Sequence, residues 1–135
     1  ERLTLMVSQG ATGDSDGLTA LLRGVVRRPL EFANRGLIAS FIVDTTWADD
    51  DYMETHFAIG AADAARSGLS AFSAGSGFKT VGVGLALDQF LSETWSIGTR
   101  LHYARLLGDA ADSPVTDTAG SPDELFGALT VGLRF

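Results

Sequence analysis

Apolar and polar residues alternate one by one along several stretches of the chain, most clearly over residues 125–135. Because successive side chains of a β-strand point to opposite faces, this alternation predicts a strand with one apolar face and one mixed face. The apolar row consists of Leu125, Gly127, Leu129, Val131, Leu133 and Phe135. The strand is predicted to run to the last residue, where soluble domains usually carry polar, frayed residues.

The same kind of alternation predicts six strands, at residues 2–9, 17–28, 36–47, 78–90, 94–107 and 125–135. The connections are short around 29–35 and 91–93 and long at 48–77 and 108–124. This order indicates an antiparallel meander, and transmembrane β-barrels have tight turns at one rim and long loops at the other. We predict that segment 48–77 is a structured excursion of a long loop, in which the alanine-rich part forms a helical turn or two and "YMETHFAI" is an alternative short strand.

The polar row of the predicted strands carries charged residues among glycine, alanine, serine and threonine: Arg23, Arg27, Asp88, Arg100, His102 and Arg134. A soluble barrel turns its apolar row inward and a membrane barrel turns it to lipid, so alternation alone does not separate the two. Small residues between the charges and a single lysine favour a hydrated lumen, which Arg100, His102 and Arg134 are predicted to face. Aromatic residues near the strand ends resemble the interfacial girdle of membrane barrels. The main members of this girdle are Trp47, Trp95 and Tyr103.

Composition narrows the class of protein further. The chain has 135 residues, no cysteine and a net charge of −7, which argues against disulfides, cysteine metal sites and general nucleic-acid binding. No stretch approaches the roughly 18 to 20 consecutive apolar residues of a spanning helix. The chain begins with Glu1 and shows no signal-peptide pattern, so we expect a processed product or a fragment. We predict one all-β barrel domain over residues 1–135, whose six or seven strands belong to a larger barrel, since the smallest transmembrane barrels have about eight.

Three stretches resemble one protein family. They are "TWADDDYMETHFAI", "AARSGLSAF" and the final stretch that begins "TWSIGTRLHYARLLGDAADSP". They are similar to outer-membrane proteins of the MipA/OmpV (MltA-interacting protein) family, over most of residues 36–135. The resemblance implies a Gram-negative outer-membrane barrel, and the best-known member is described as a scaffold joining a lytic transglycosylase to a peptidoglycan synthase. Family members are longer, so the resemblance implies a carboxyl-terminal portion.

The resemblance also implies a route of assembly. Outer-membrane barrels are recognised for insertion through a final amphipathic strand that ends in an aromatic residue, and we assign this signal to Leu129, Val131, Leu133 and Phe135. The implied partners are the barrel assembly machinery, the lipid bilayer with its lipopolysaccharide, and the two peptidoglycan enzymes. Phe135 is expected at the periplasmic rim, with the turns near Pro29–Arg35 and Leu91–Glu93 as contact sites and loop 108–124 outside.

Candidate chemistry is sparse. The histidines are His56 and His102, and "LHYARLL" lacks the serine that an outer-membrane lipid A deacylase carries beside its histidine. The run Asp49–Asp51 lacks the spacing of an EF-hand, so a solvated turn is favoured over a divalent-cation site. We therefore predict no catalytic residue, metal site or cofactor. A non-enzymatic scaffold is the leading hypothesis, a passive small-solute channel is the alternative, and a lipid-modifying enzyme is third.

Overall fold

The computed structural model describes residues 1–10, 17–30 and 36–134. Within them it contains six strands: β1 Arg2–Gly10, β2 Gly17–Pro29, β3 Leu37–Ala48, β4 Gly77–Phe90, β5 Trp95–Leu106 and β6 Asp123–Leu133. All six predicted strands are present, with ends within two residues of the prediction. Phe135 and residues 31–35 of the predicted turn lie outside the described residues.

The strands form one sheet in the order β1-β2-β3-β4-β5-β6, and each strand is antiparallel to its neighbours. The predicted meander is confirmed, and the sheet is open, with β1 and β6 at its edges. One row of residues crosses the whole sheet: Thr4, Arg23, Asp44, Gly82, Ala104 and Glu124. The pairing of β3 with β4 shifts beyond Thr46, which leaves Lys79 as an extra residue in β4.

The two faces of the sheet differ in chemistry and in exposure. One face, here the polar face, carries Arg23, Asp44, Asp88, Arg100 and His102, and the other, the apolar face, carries Leu5, Phe41, Val83, Leu101 and Leu129. On the polar face Asp44 is 7% exposed, whereas on the apolar face Val83 is 44% exposed and Leu129 is 78% exposed. The polar face is therefore the more enclosed of the two.

The two long connections fold into four short helices: α1 Asp50–Phe57, α2 Ala61–Ser67, α3 Gly108–Asp112 and α4 Pro114–Ala119. The predicted excursion at 48–77 is thus helical, and the alternative of a short strand at "YMETHFAI" is wrong for most of its length. Asp49 caps α1 by accepting a hydrogen bond from the backbone of Tyr52. None of the helices in the described part of the chain is long and apolar enough to cross a membrane.

Residues 49–76 and 107–122 together form a cap at one rim of the sheet. Its small hydrophobic core contains Ala48, Met53, Ala74 and Ala110, with Tyr52, Phe57, Phe72 and Leu106 packed around them. The two halves of the cap are also joined by a hydrogen bond, because the buried Ser113 hydroxyl donates to the carbonyl of Phe57. The turn at residues 91–94 lies at the opposite rim, here the turn rim.

Candidate functional site

A charged cluster on the polar face is built around Asp44. His102 Nε2 lies 3.0 Å from Asp44 Oδ2, and Arg23 Nε donates to the same oxygen at 3.2 Å. Three strands contribute these side chains: Arg23 comes from β2, Asp44 from β3 and His102 from β5. A carboxylate this enclosed needs charged partners, because an unpaired buried charge is costly. We call this set the Asp44 cluster.

His102 reaches Asp44 across β4 because that strand carries glycine at both positions beneath the ring. A Cβ atom on Gly82 would lie 2.5 Å from Asp44 Oδ1 and 2.8 Å from His102 Cε1. A Cβ atom on Gly84 would lie 2.9 Å from His102 Cδ2. Carbon atoms do not approach so closely without displacement, so any larger residue would push the imidazole or the carboxylate away.

A second charged cluster lies nearer the turn rim. Arg100 Nη2 donates to Asp88 Oδ1 at 3.3 Å, and Arg100 Nη1 donates to Thr130 Oγ1 at 3.1 Å. Asp88 and Thr130 stand on the two strands that flank β5, on either side of Gly98. A Cβ atom on Gly98 would lie 2.6 Å from the nearest oxygen of each. Glycine at position 98 thus leaves the space in which the Arg100 guanidinium bridges Asp88 and Thr130.

The chemistry of the Asp44 cluster is one ion pair, between Arg23 and Asp44, and a hydrogen bond between His102 and the same carboxylate. In the described part of the chain, His102 has no serine or threonine hydroxyl among its hydrogen-bond partners, and its Nε2 is engaged by Asp44. A nucleophile activated by a histidine base requires such a hydroxyl within hydrogen-bond reach. The cluster therefore links β2, β3 and β5 through contacts to one carboxylate.

The acidic run at the start of the cap has a structural role. Asp49 accepts the backbone N–H of Tyr52 at 2.9 Å and that of Leu18 at 2.7 Å, and Asp50 accepts the backbone N–H of Ser76. Over residues 1–10, 17–30 and 36–134, no group of three or more His, Cys, Asp or Glu side chains is placed to hold a metal ion. The predicted solvated turn is thus a helix cap that also ties β2 to the cap.

The second histidine belongs to the cap. The ring of His56 stacks on that of Tyr52 with centroids 4.0 Å apart, and Lys79 Nζ lies 5.0 Å from the Tyr52 centroid. Lys79 is the extra residue of β4, so the irregular pairing places its ammonium beside the cap. The aromatic stack lies within α1, and the cation–π contact of Lys79 fastens this helix to the sheet.

Comparison with known proteins identifies the family of this chain. The family described as "MltA-interacting protein MipA" matches residues 1–135. The chain belongs to this family. No curated protein and no solved structure matches it. Together with the six-stranded meander, membership of the MltA-interacting protein family identifies the sheet as part of a β-barrel.

The structure places the other predicted site residues as follows. Leu129, Val131 and Leu133 lie exposed on the apolar face of β6. Arg134 follows β6, and its backbone N–H donates to the Thr94 carbonyl at 2.8 Å. Their predicted roles in assembly and in the lumen stay predictions. Phe135 lies outside the described residues.

The aromatic residues assigned to a girdle lie toward the two ends of the sheet. Trp47 is at the cap end of β3, and Trp95 opens β5 at the turn rim. Tyr103 lies toward the cap end of β5, where its hydroxyl donates to Asp123. An interfacial role for these residues stays a prediction.

Alternation in the sequence places His102 and Arg100 on one face, but it does not show which residues of the neighbouring strands they contact. It assigns no contact to Asp44, Gly82 or Gly84. A signal was available in "VGVGLAL", where glycine occupies consecutive positions of the same row that the charged residues use on neighbouring strands. Two such glycines in one strand mark a place where side chains from adjacent strands meet.

Proposed function

We propose that this protein is a non-enzymatic outer-membrane barrel that serves as a scaffold for peptidoglycan-remodelling enzymes of the Gram-negative envelope. The observation that carries the proposal is the inverted sheet, with charged residues on the enclosed face and large apolar residues on the exposed face. Contiguous apolar surface of this extent is unfavourable in water. Lipid removes that cost, and a hydrated lumen accommodates the Asp44 cluster.

The open edges of the sheet support a larger barrel. Unpaired backbone groups are not tolerated in hydrocarbon, so β1 and β6 require strands beside them. With six strands in alternating directions, β1 and β6 run antiparallel to each other, and closure of an all-antiparallel barrel then needs an even number of further strands. At least two are required, because the smallest transmembrane barrels have about eight strands.

A scaffolding role is supported by the family and by the chemistry of the polar face. The family is named for interaction with MltA, and we propose a lytic transglycosylase and a peptidoglycan synthase as partners of this protein. Ion pairs link Arg23 to Asp44 and Arg100 to Asp88 across strands of the polar face, which favours a structural role. The turn rim would face the periplasm, where such enzymes work, and the cap would face outward among the lipopolysaccharide.

Assembly and anchoring complete the proposal. Leu129, Val131, Leu133 and Phe135 would form the strand signal that the barrel assembly machinery reads by strand addition. Trp47, Trp95 and Tyr103 would lie at the membrane interfaces, where amphipathic aromatic rings are favoured. The positions of Trp47 and Trp95 toward opposite ends of the sheet support this assignment.

Site-directed crosslinking in intact cells tests the scaffold directly. Glu93→Cys places a thiol on the turn rim, where Glu93 is exposed and has no hydrogen bond or ion pair among the described residues. Ser92 is a poorer site, because its hydroxyl accepts the backbone N–H groups of Thr94 and Trp95. Ser73→Cys in the cap is the matched control, since it is also exposed and the chain has no native cysteine.

We expect Glu93→Cys to capture a peptidoglycan enzyme from the outer-membrane fraction and Ser73→Cys to capture none. A specific interface buries about 1,200–2,000 Å² in total, so the neighbouring rim would contribute to it as well. Equal capture from both sites would contradict the proposed orientation, in which the turn rim faces the periplasm and the cap faces outward. No capture from either site, together with ion conductance of the purified protein in planar bilayers, would replace the scaffold with a small-solute channel.

A further inference from the structure

Two arginines on the polar face of β2 are held by one nitrogen each. Arg23 donates through Nε to Asp44, and Arg27 donates through Nε to the Ser40 hydroxyl at 3.3 Å. Both acceptors belong to β3 and are buried. Among the described residues, the Nη groups of Arg23 and Arg27 have no hydrogen-bond or ion-pair partner. Each guanidinium is thus oriented by its Nε, while its two Nη groups, which form the fork of the guanidinium, remain available to another hydrogen-bond acceptor.

Arg100 shows the contrasting arrangement on the same face. Both of its Nη groups are used within the protein, one on Asp88 and one on Thr130. Its fork is therefore occupied by protein oxygens and has little capacity for a ligand. The available donors of the polar face are concentrated on the side of β1 and β2.

A third arginine joins the two on β2. Arg2 of β1 pairs with Val25, which lies between Arg23 and Arg27 on the same row of β2. The three arginine positions therefore adjoin Val25 on the polar face. A cavity of about 300 Å³ lined by Glu1, Arg2, Val25 and Arg27 opens beside them.

Nearby carboxylates do not balance these charges. Asp44 is shared between Arg23 and His102. Glu1 lines the cavity, but its Oε1 pairs with Arg28 Nη2 at 3.1 Å. Arg2 and Arg27 have no carboxylate partner among the described residues. The region between β1 and β3 thus carries excess positive charge, although the whole chain has a net charge of −7.

We propose that Arg2, Arg23 and Arg27 form a binding site for a small oxyanion, a carboxylate or a phosphate, on the polar face of the sheet. A guanidinium fork binds such groups through two parallel, charge-assisted hydrogen bonds. Fixing the guanidinium groups of Arg23 and Arg27 through Nε reduces the side-chain entropy lost on binding. The site does not depend on the scaffold role.

Calorimetric titration of the protein in zwitterionic detergent at low salt tests the site, with inorganic phosphate and succinate as separate probes. Arg27→Gln removes one fork and retains a group that can hydrogen-bond Ser40. Arg66→Gln is the matched control, because it removes the same charge from α2 of the cap, where Arg66 pairs with Asp63. Arg27→Lys keeps the charge and loses the fork.

We expect the wild type and Arg66→Gln to bind at least one probe with the same affinity. Arg27→Gln should weaken binding about tenfold or more, as removal of hydrogen bonds to a charged group does, and Arg27→Lys should weaken it by a smaller factor. A preference for phosphate or succinate identifies the class of oxyanion. The site is disproved if the wild type binds neither probe, or if Arg66→Gln weakens binding as much as Arg27→Gln.

Discussion

Gly82 is the residue on which the Asp44 cluster depends most directly. The imidazole of His102 and the carboxylate of Asp44 meet over this glycine, and a methyl group there would lie within 2.8 Å of both side chains. Neither side chain can simply swing away, because each is held by the other and Asp44 is also bound to Arg23. The absence of a side chain at one position thus permits a three-residue contact.

At this scale we predict that Gly82→Ala breaks the contact between His102 and Asp44 and lowers the free energy of unfolding by about 1–3 kcal/mol. Gly127→Ala is the control, since its Cβ would meet nothing closer than 4.0 Å, and it should be neutral or stabilising. Urea unfolding in lipid vesicles measures stability, and imidazole ¹⁵N shifts report on His102. Equal unfolding midpoints for the two variants would contradict the role of Gly82.

At the scale of elements, the cap is the part of the molecule with a conventional hydrophobic core. Met53 of α1 is 2% exposed and packs with Ala110 of α3, so residues from two connections far apart in the chain share one small core. The helices are five to eight residues long, too short to be stable alone. Their order therefore depends on this packing, on the caps provided by Asp49 and Ser113, and on contacts with the sheet.

We predict that Met53→Ala unfolds the cap without unfolding the sheet. Truncating a buried methionine costs about 2–5 kcal/mol, which is large for so small a core, whereas Met53→Leu conserves volume and should cost less than about 1.5 kcal/mol. Hydrogen exchange should rise in α1 and α3 and stay slow in β4 and β5. A uniform rise across both regions would instead show that cap and sheet unfold as one unit.

At the scale of the whole molecule, charge and apolar surface are separated. The cap holds eight acidic residues and one arginine, so its charge of −7 equals the net charge of the whole chain. The acidic residues of the cap are Asp49, Asp50, Asp51, Glu54, Asp63, Asp109, Asp112 and Asp117. The sheet and its turns carry equal numbers of acidic and basic residues. The net negative charge of the chain is therefore located on the cap, which makes one rim of the sheet strongly acidic.

The assignment of faces predicts different outcomes for the same substitution on β6. Leu129→Arg places a charge on the apolar face and should reduce assembly strongly, because a lipid-facing arginine at the midplane costs about 2–4 kcal/mol. Phe126→Arg is the matched control, since Phe126 is 56% exposed on the polar face and shares that face with Glu124. Thr130 is less suitable, because it accepts a hydrogen bond from Arg100.

The amount of compact barrel in the outer-membrane fraction is measured on SDS gels. A closed barrel runs as a compact band that shifts only after boiling. We expect a strong band for Phe126→Arg and a weak one for Leu129→Arg. A strong band for Leu129→Arg and a weak one for Phe126→Arg would show that the assignment of the two faces is reversed. Recovery of all variants in detergent-free buffer would contradict the membrane location.

The sequence by itself determined the strands and the chemistry of each face. Alternation with a period of two is local, so Leu129 and Thr130 could be placed on opposite faces without knowledge of any neighbouring strand. The side-chain contacts required the tertiary structure, because cross-strand register brings together residues far apart in the chain, such as His102 and Asp44, which are 58 positions apart. The helical form of residues 50–57 also depended on long-range contacts, since Asp49 caps that helix while binding the backbone of Leu18, and Met53 is buried by residues from both halves of the cap.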